Sequence, residues 1–194
     1  MTGPFRQAVH AAAMLVLLAM PPSVARAETV EDKAKVCATC HGEVGVPIDK
    51  TIPVISGQQL GYLYLQLRDF KRGTRKSDQM APFVESLERD DMLALAEYFS
   101  KLKWPDLRQP PAPPDVAARA QRANASVGCT GCHQGGYQGE GTQPRLAGQS
   151  KEYQLKSMLD FRTRARGNNP GMSDLMIATS MDDLQAMAEY LAGL

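Results

Sequence analysis

The sequence predicts an all-α chain built as two copies of one helical domain. Three observations carry this. Cys37, Cys40 and His41 recur 92 residues later as Cys129, Cys132 and His133. Apolar residues in the closing stretch of each copy return at helical spacing. No segment shows the strict apolar–polar alternation of a half-buried strand.

Taken in order, the first 27 of the 194 residues read as an export leader. Arg6 supplies the basic start, "AAAMLVLLAM" (Ala11–Met20) the apolar core, and "VARA" (Val24–Ala27) a small-x-small cleavage site. Pro21 and Pro22 break any helix between core and cleavage site. An apolar run this short falls well below the roughly 20 residues that span a bilayer. The leader predicts export to the periplasm. The whole chain has 22 Lys and Arg against 21 Asp and Glu; without Arg6 and Arg26 the balance becomes 20 against 21, a net charge of −1. That excludes nucleic acid as a partner, which needs a basic face.

Residues 28–108 form the first predicted domain, 109–115 a linker and 116–194 the second. Each begins with a short helix leading to its cysteine pair, the second in "VAARAQRANAS" (Val116–Ser126). A further helix is predicted from Gln59 to Lys71, with Leu60, Leu63, Tyr64, Leu67 and Phe70 inward, and its partner from Lys151 to Arg162. Met92, Leu95, Ala96, Phe99 and Leu102 make the apolar stripe of a closing helix, answered by Leu184, Met187, Ala188, Leu191 and Leu194. "IPVISGQ" (Ile52–Gln58) matches "QPRLAGQ" (Gln143–Gln149) at an offset of 91, and "DDMLALAEYF" (Asp90–Phe99) matches "DDLQAMAEYL" (Asp182–Leu191) at 92. One residue is lost and regained in loops between. The connector "WPDLRQPPAPPD" (Trp104–Asp115) holds five prolines and reads as extended and semi-rigid. Halves of about 80 residues are marginal for a protein-only core, which a large apolar cofactor would relieve.

Beyond the leader only two histidines occur, His41 and His133, each directly after the second cysteine of a pair. A structural disulfide requires no such neighbour, and Cys-x-x-Cys bridges would staple nothing distant. A zinc site lacks its four nearby ligands. A thioredoxin-like site belongs with a strand–helix pattern absent from this chain. Cys-x-x-Cys-His instead suits covalent haem attachment. Each thiol adds across a vinyl group, so a sulfur–carbon bond forms and the thiol hydrogen goes to the neighbouring vinyl carbon. Cys37, Cys40, Cys129 and Cys132 would thus hold two covalently bound haem c groups, with His41 and His133 on iron. With no spare histidine, methionine is the natural sixth ligand. Met80 and Met172 each lie 39 residues after their histidine, in the loop-like contexts "RKSDQMAPF" and "GNNPGMSDL". Met176 and Met181 are close enough to substitute for Met172, whereas Met92 and Met187 sit on the core stripe.

The paired motifs, the "PVISGQ" and "PRLAGQ" elements, the methionine segments and the terminal "LAEYF" and "MAEYL" helices resemble a diheme cytochrome c of the cytochrome c4 type. The resemblance implies two class I cytochrome c folds about a pseudo-twofold axis, each with His/Met ligation. It implies a periplasmic electron carrier, associated peripherally with the membrane, between a redox protein donor and an acceptor such as a terminal oxidase. It also places at Pro53 and Pro144 the carbonyls that accept from the proximal histidines. Arg75 and Arg166, in "RDFKRGTRK" and "RTRAR", are assigned to haem propionates or to an acidic partner. Tyr62 and Tyr153 are candidate pocket linings. Two closed axial positions and no nucleophile–base pair argue for outer-sphere electron transfer and against an enzyme. The alternatives are a haem subunit of a dehydrogenase, such as a flavoprotein oxidising sulfide, and a peroxidase with one five-coordinate haem.

Overall fold

The computed structural model describes residues 28–43 and 45–194; the leader, at 1–27, lies outside the described residues. The first half contains α1 (Val30–His41), α2 (Leu60–Lys71), α3 (Ala81–Val84) and α4 (Arg89–Ser100). The second contains α5 (Pro114–Val127), α6 (Cys129–His133), a 3-10 turn at Gly135–Tyr137, α7 (Lys151–Arg162), α8 (Pro170–Ala178) and α9 (Met181–Ala192). Among the described residues there is no strand, only two isolated bridges, Arg75 with Arg166 and Glu140 with Gln143. The all-α prediction holds.

The helix starts follow from side chains that satisfy orphan backbone donors. Thr29 Oγ1 accepts from Asp32 N at 3.2 Å to begin α1. Glu88 and Asp91 cap α4 reciprocally. Ser180 Oγ accepts from Asp183 N at the start of α9. Pro114 opens α5, where its missing N–H costs nothing.

In the first half α4 packs on α1 and α2. Their apolar faces form one cluster: Ala34, Leu63, Val84, Leu87, Met92, Leu95, Ala96 and Phe99. In the second half α9 packs on α5 and α7, and the core divides. Ala120, Ala123, Tyr137, Ala147, Ala186, Met187 and Leu191 form one cluster; Phe161, Met176 and Leu184 form another, with Met158 against both.

Two details depart from the sequence reading. Leu102 and Leu194, placed on the closing stripes, lie beyond the ends of α4 and α9 and are exposed, as is Leu60 at the start of α2. Met172 is not in a loop but within the first turn of α8. Asn169 Oδ1 accepts from Met172 N at 3.1 Å and Pro170 sits in the first turn, so the run read as loop-like is a helix start.

The halves dock. Gln58 Oε1 accepts from Arg145 N at 2.7 Å, and its Nε2 donates to Arg145 O at 3.0 Å. Gln149 makes the same pair of bonds to Val54 N and O, at 2.9 and 3.0 Å. Gly61 abuts the opposite half, where an added Cβ would stand 2.7 Å from Gly141 O. The proline-rich connector is neither helix nor strand over 103–113, with Arg108 at φ 53°, and it is tied down: Gln109 Nε2 donates to Gln149 O and Ala192 O, and its Oε1 accepts from Lys151 N.

Candidate haem-binding sites

Cys37, Cys40 and His41 occupy the end of α1, so the helix itself presents the motif. In the second half α5 ends at Val127, Gly128 takes a left-handed turn (φ 78°), and α6 carries Cys129, Cys132 and His133. Asn124 Oδ1 secures the restart by accepting from Thr130 N at 3.1 Å. All four cysteines are unpaired. Cys37 packs against the single core cluster of its half and Cys129 against the first cluster of the other. Burial pushes both thiols above the ordinary cysteine range, which keeps them neutral.

His41 is buried with Nδ1 2.9 Å from Pro53 O, and His133 is buried with Nδ1 3.0 Å from Pro144 O. A carbonyl only accepts, so Nδ1 carries the proton and Nε2 keeps its lone pair. Burial drives both imidazoles below the ordinary histidine value, while the proline carbonyls oppose that shift. Each site therefore presents a neutral, oriented nitrogen donor.

Met80 lies just before α3, its N–H bonded to Ser77 Oγ at 3.2 Å, and it packs partly buried on the same cluster as Cys37. Met172 packs partly buried on the Phe161–Met176–Leu184 cluster. Met176 is core, at 4% exposure, and Met181 is on the surface at 40%. Of the three neighbouring methionines, only Met172 is neither core filler nor exposed. Among the described residues no group of three or more His, Cys, Asp and Glu side chains gathers as for a mononuclear ion. A cysteine pair, an oriented imidazole and a methionine packed on an apolar cluster fit covalent haem.

Arg75 and Arg166 meet at the seam between the halves. Arg166 donates to Tyr62 Oη at 3.1 Å, Gln66 Oε1 at 2.9 Å, Ser157 Oγ at 2.6 Å and Asn168 Oδ1 at 3.2 Å. Arg75 donates to Gln66 Oε1 at 2.7 Å and Tyr153 Oη at 3.1 Å. Their guanidinium groups lie over Phe161 and Phe70, 4.3 and 4.5 Å from the ring centres. Among the described residues neither arginine has a carboxylate within ion-pair distance. The Asp69 carboxylate accepts from Asn168 Nδ2 at 2.9 Å and is already paired with Arg68, and Asp69 O accepts from Arg75 N at 3.0 Å. Burial alone would raise the Tyr153 phenol, but the two guanidiniums outweigh it and hold that group below the ordinary tyrosine value. Two guanidiniums that share Gln66 without a carboxylate beside them favour a negatively charged ligand there. Sequence reasoning missed Gln66, Ser157 and Asn168. No motif marks them: Gln66 and Asn168 bond across the seam, and Ser157 meets Arg166 only in the folded second half.

A family model described as cytochrome c matches residues 117–194. The chain is 31% identical over 182 residues to cytochrome c4 of Azotobacter vinelandii, covering 84% of this chain and 87% of that protein. It is 33% identical over 172 residues to a thiosulfate dehydrogenase electron acceptor of Thiomonas intermedia, covering 82% and 79%. The fold matches the crystal structure of reduced recombinant cytochrome c4 from Pseudomonas stutzeri with a TM-score of 0.76 and 29% identity, over 87% of this chain and 98% of that one. The duplicated attachment motif, the two histidine–proline contacts and these likenesses agree: the chain belongs to the cytochrome c4 type of diheme electron-transfer cytochromes, built of tandem cytochrome c domains.

Proposed function

We propose that this protein is a periplasmic electron carrier with one covalently bound haem c in each half. Residues 28–108 and 116–194 are the two domains, joined by 109–115. When bound, haem supplies a one-electron couple at iron. The chain's own residues do the rest. Cys37 and Cys40, and Cys129 and Cys132, provide the thioether attachments. His41 and His133 are the proximal donors, oriented by Pro53 and Pro144. Met80 and Met172 would hold iron through a soft sulfur donor, which would favour the reduced state. Apolar walls exclude water. Arg75 and Arg166 take the propionates, which supply the anions that the two guanidiniums lack.

The observation that carries this reading is the duplicated contact of a buried, neutral histidine with a proline carbonyl, each directly behind its cysteine pair. The test is the intact mass of the exported protein together with an anaerobic redox titration followed optically. Two added haem masses and two one-electron couples are expected. A polypeptide with no added macrocycle would overturn the proposal.

A second reading rests on the likeness to the Thiomonas intermedia acceptor: the chain takes electrons from a partner dehydrogenase acting on a reduced sulfur compound. Purification from the native host separates the two. A free carrier elutes alone, and a subunit brings its dehydrogenase. Peripheral attachment to the membrane and delivery toward a terminal oxidase belong to the first reading.

A further inference from the structure

We propose that Gln58 and Gln149 are reciprocal positioning residues: each holds, across the seam, the peptide group that orients the proximal histidine of the opposite half. Docking of the halves thereby sets the donor strength of both histidines. The inference rests on the haem reading above.

The connection is direct. Pro53 C=O and Val54 N–H belong to one peptide group. Its carbonyl accepts from His41 Nδ1 at 2.9 Å, and its N–H donates to Gln149 Oε1, also at 2.9 Å. The mirror chain runs from His133 Nδ1 to Pro144 O at 3.0 Å, then from Arg145 N to Gln58 Oε1 at 2.7 Å. Hydrogen bonds in series through an amide polarise one another, so an accepted N–H makes the attached carbonyl a better acceptor. A better acceptor makes the imidazole a stronger donor to iron, which favours the oxidised state.

Both glutamines are 3% exposed, so neither amide has water as a substitute partner. Each is also rigid. Gln149 Oε1 accepts from Ser150 N, and Gln58 Oε1 from Gln59 N, both at 2.9 Å, which fixes each amide to the start of a helix in its own half. Their Nε2 groups clamp the following carbonyls, Val54 O and Arg145 O, both at 3.0 Å. The residue behind each histidine's proline, Val54 or Arg145, is therefore held at both its N–H and its C=O by one glutamine of the other half.

The signature is a crossed effect on two midpoint potentials. In the holoprotein, resolved haem methyl signals in an NMR-followed redox titration report each half separately. Gln149→Ala should raise the potential of the haem bound at His41, by up to about tenfold in the one-electron equilibrium, or about 59 mV. The haem at His133 should move much less. Gln58→Ala should do the reverse. The Nδ1 proton of the opposite histidine should also exchange faster with solvent. If the alanine variants undock the halves, Gln149→Met and Gln58→Met keep the volume and remove only the amide, and the same crossing is expected. A shift confined to the mutated half, an equal shift of both halves, or no shift overturns the proposal. Failure of the haem reading itself is distinguishable, because the unmodified protein would then show no pair of couples.

Discussion

The first half carries its cysteine pair on one unbroken helix, whereas the second stops that helix at Val127, turns at Gly128 and restarts at Cys129. The methionine segments differ as well. Met80 precedes the four-residue α3, while Met172 lies inside the nine-residue α8. One apolar cluster spans the first half and two divide the second. Yet the histidine–carbonyl distances are 2.9 and 3.0 Å. The proximal side of each site is held to one geometry by a local contact. The methionine side tolerates different scaffolds, because packing on an apolar wall leaves more than one way to deliver a thioether.

The sharpest way to break this comparison is to separate ligand from core among the methionines. Met176→Ala should cost about 2–5 kcal/mol in denaturant unfolding, as a buried methionine truncation does. It should leave the sulfur-to-iron charge-transfer band intact. Met172→Ala should do the opposite, abolishing the band's second-half contribution at a smaller stability cost, and Met80→Ala should do so for the first half. Loss of the band in Met176→Ala would show that the ligand was misassigned.

The seam comes next. Arg166 makes four hydrogen bonds to side chains and Arg75 makes two. Arg166→Met should therefore cost about 2–4 kcal/mol, from the buried charge's bonds to partly buried partners, and Arg75→Met about half of that. Equal losses in thermal unfolding would deny the asymmetry.

A smaller effect is expected where the helices diverge. Gly128→Val puts a β-branched residue at φ 78° and should cost about 1–2 kcal/mol through backbone strain alone, since no atom stands within 4 Å of an added Cβ. Its counterpart Val36→Gly, inside an intact helix, should cost about 0.5–1 kcal/mol from backbone entropy. Of the same order is Ser150→Ala, about 1 kcal/mol, because it removes the cap of α7. No matching loss from a cap is expected for Gln59→Ala, since Gln59 makes no side-chain cap bond to α2.

Most of the architecture could be read from the chain because its signals are local. The cysteine pairs mark the repeat, and the apolar period of Met92–Phe99 and Leu184–Leu191 marks the closing helices. What escaped was nonlocal or ambiguous. "NNPG" signals a break to a reader of propensities, but Asn169 and Pro170 are equally the cap and first turn of α8. The stripes could not show where helical hydrogen bonding stops, so Leu102 and Leu194 were counted one turn too far. The repeated Gly-Gln dipeptide was visible, but its partner was not, because a glutamine's bonds depend on what tertiary docking brings to it. The same holds for Gln66 and Asn168.

The crossed amide bonds have one further consequence. Gln58 on Arg145 and Gln149 on Val54 are a single recognition event performed twice, as in an isologous homodimer. Each repeat carries both the hook and the eye. The tether between them turns self-association into a unimolecular step, at an effective concentration no longer set by how much protein the cell makes.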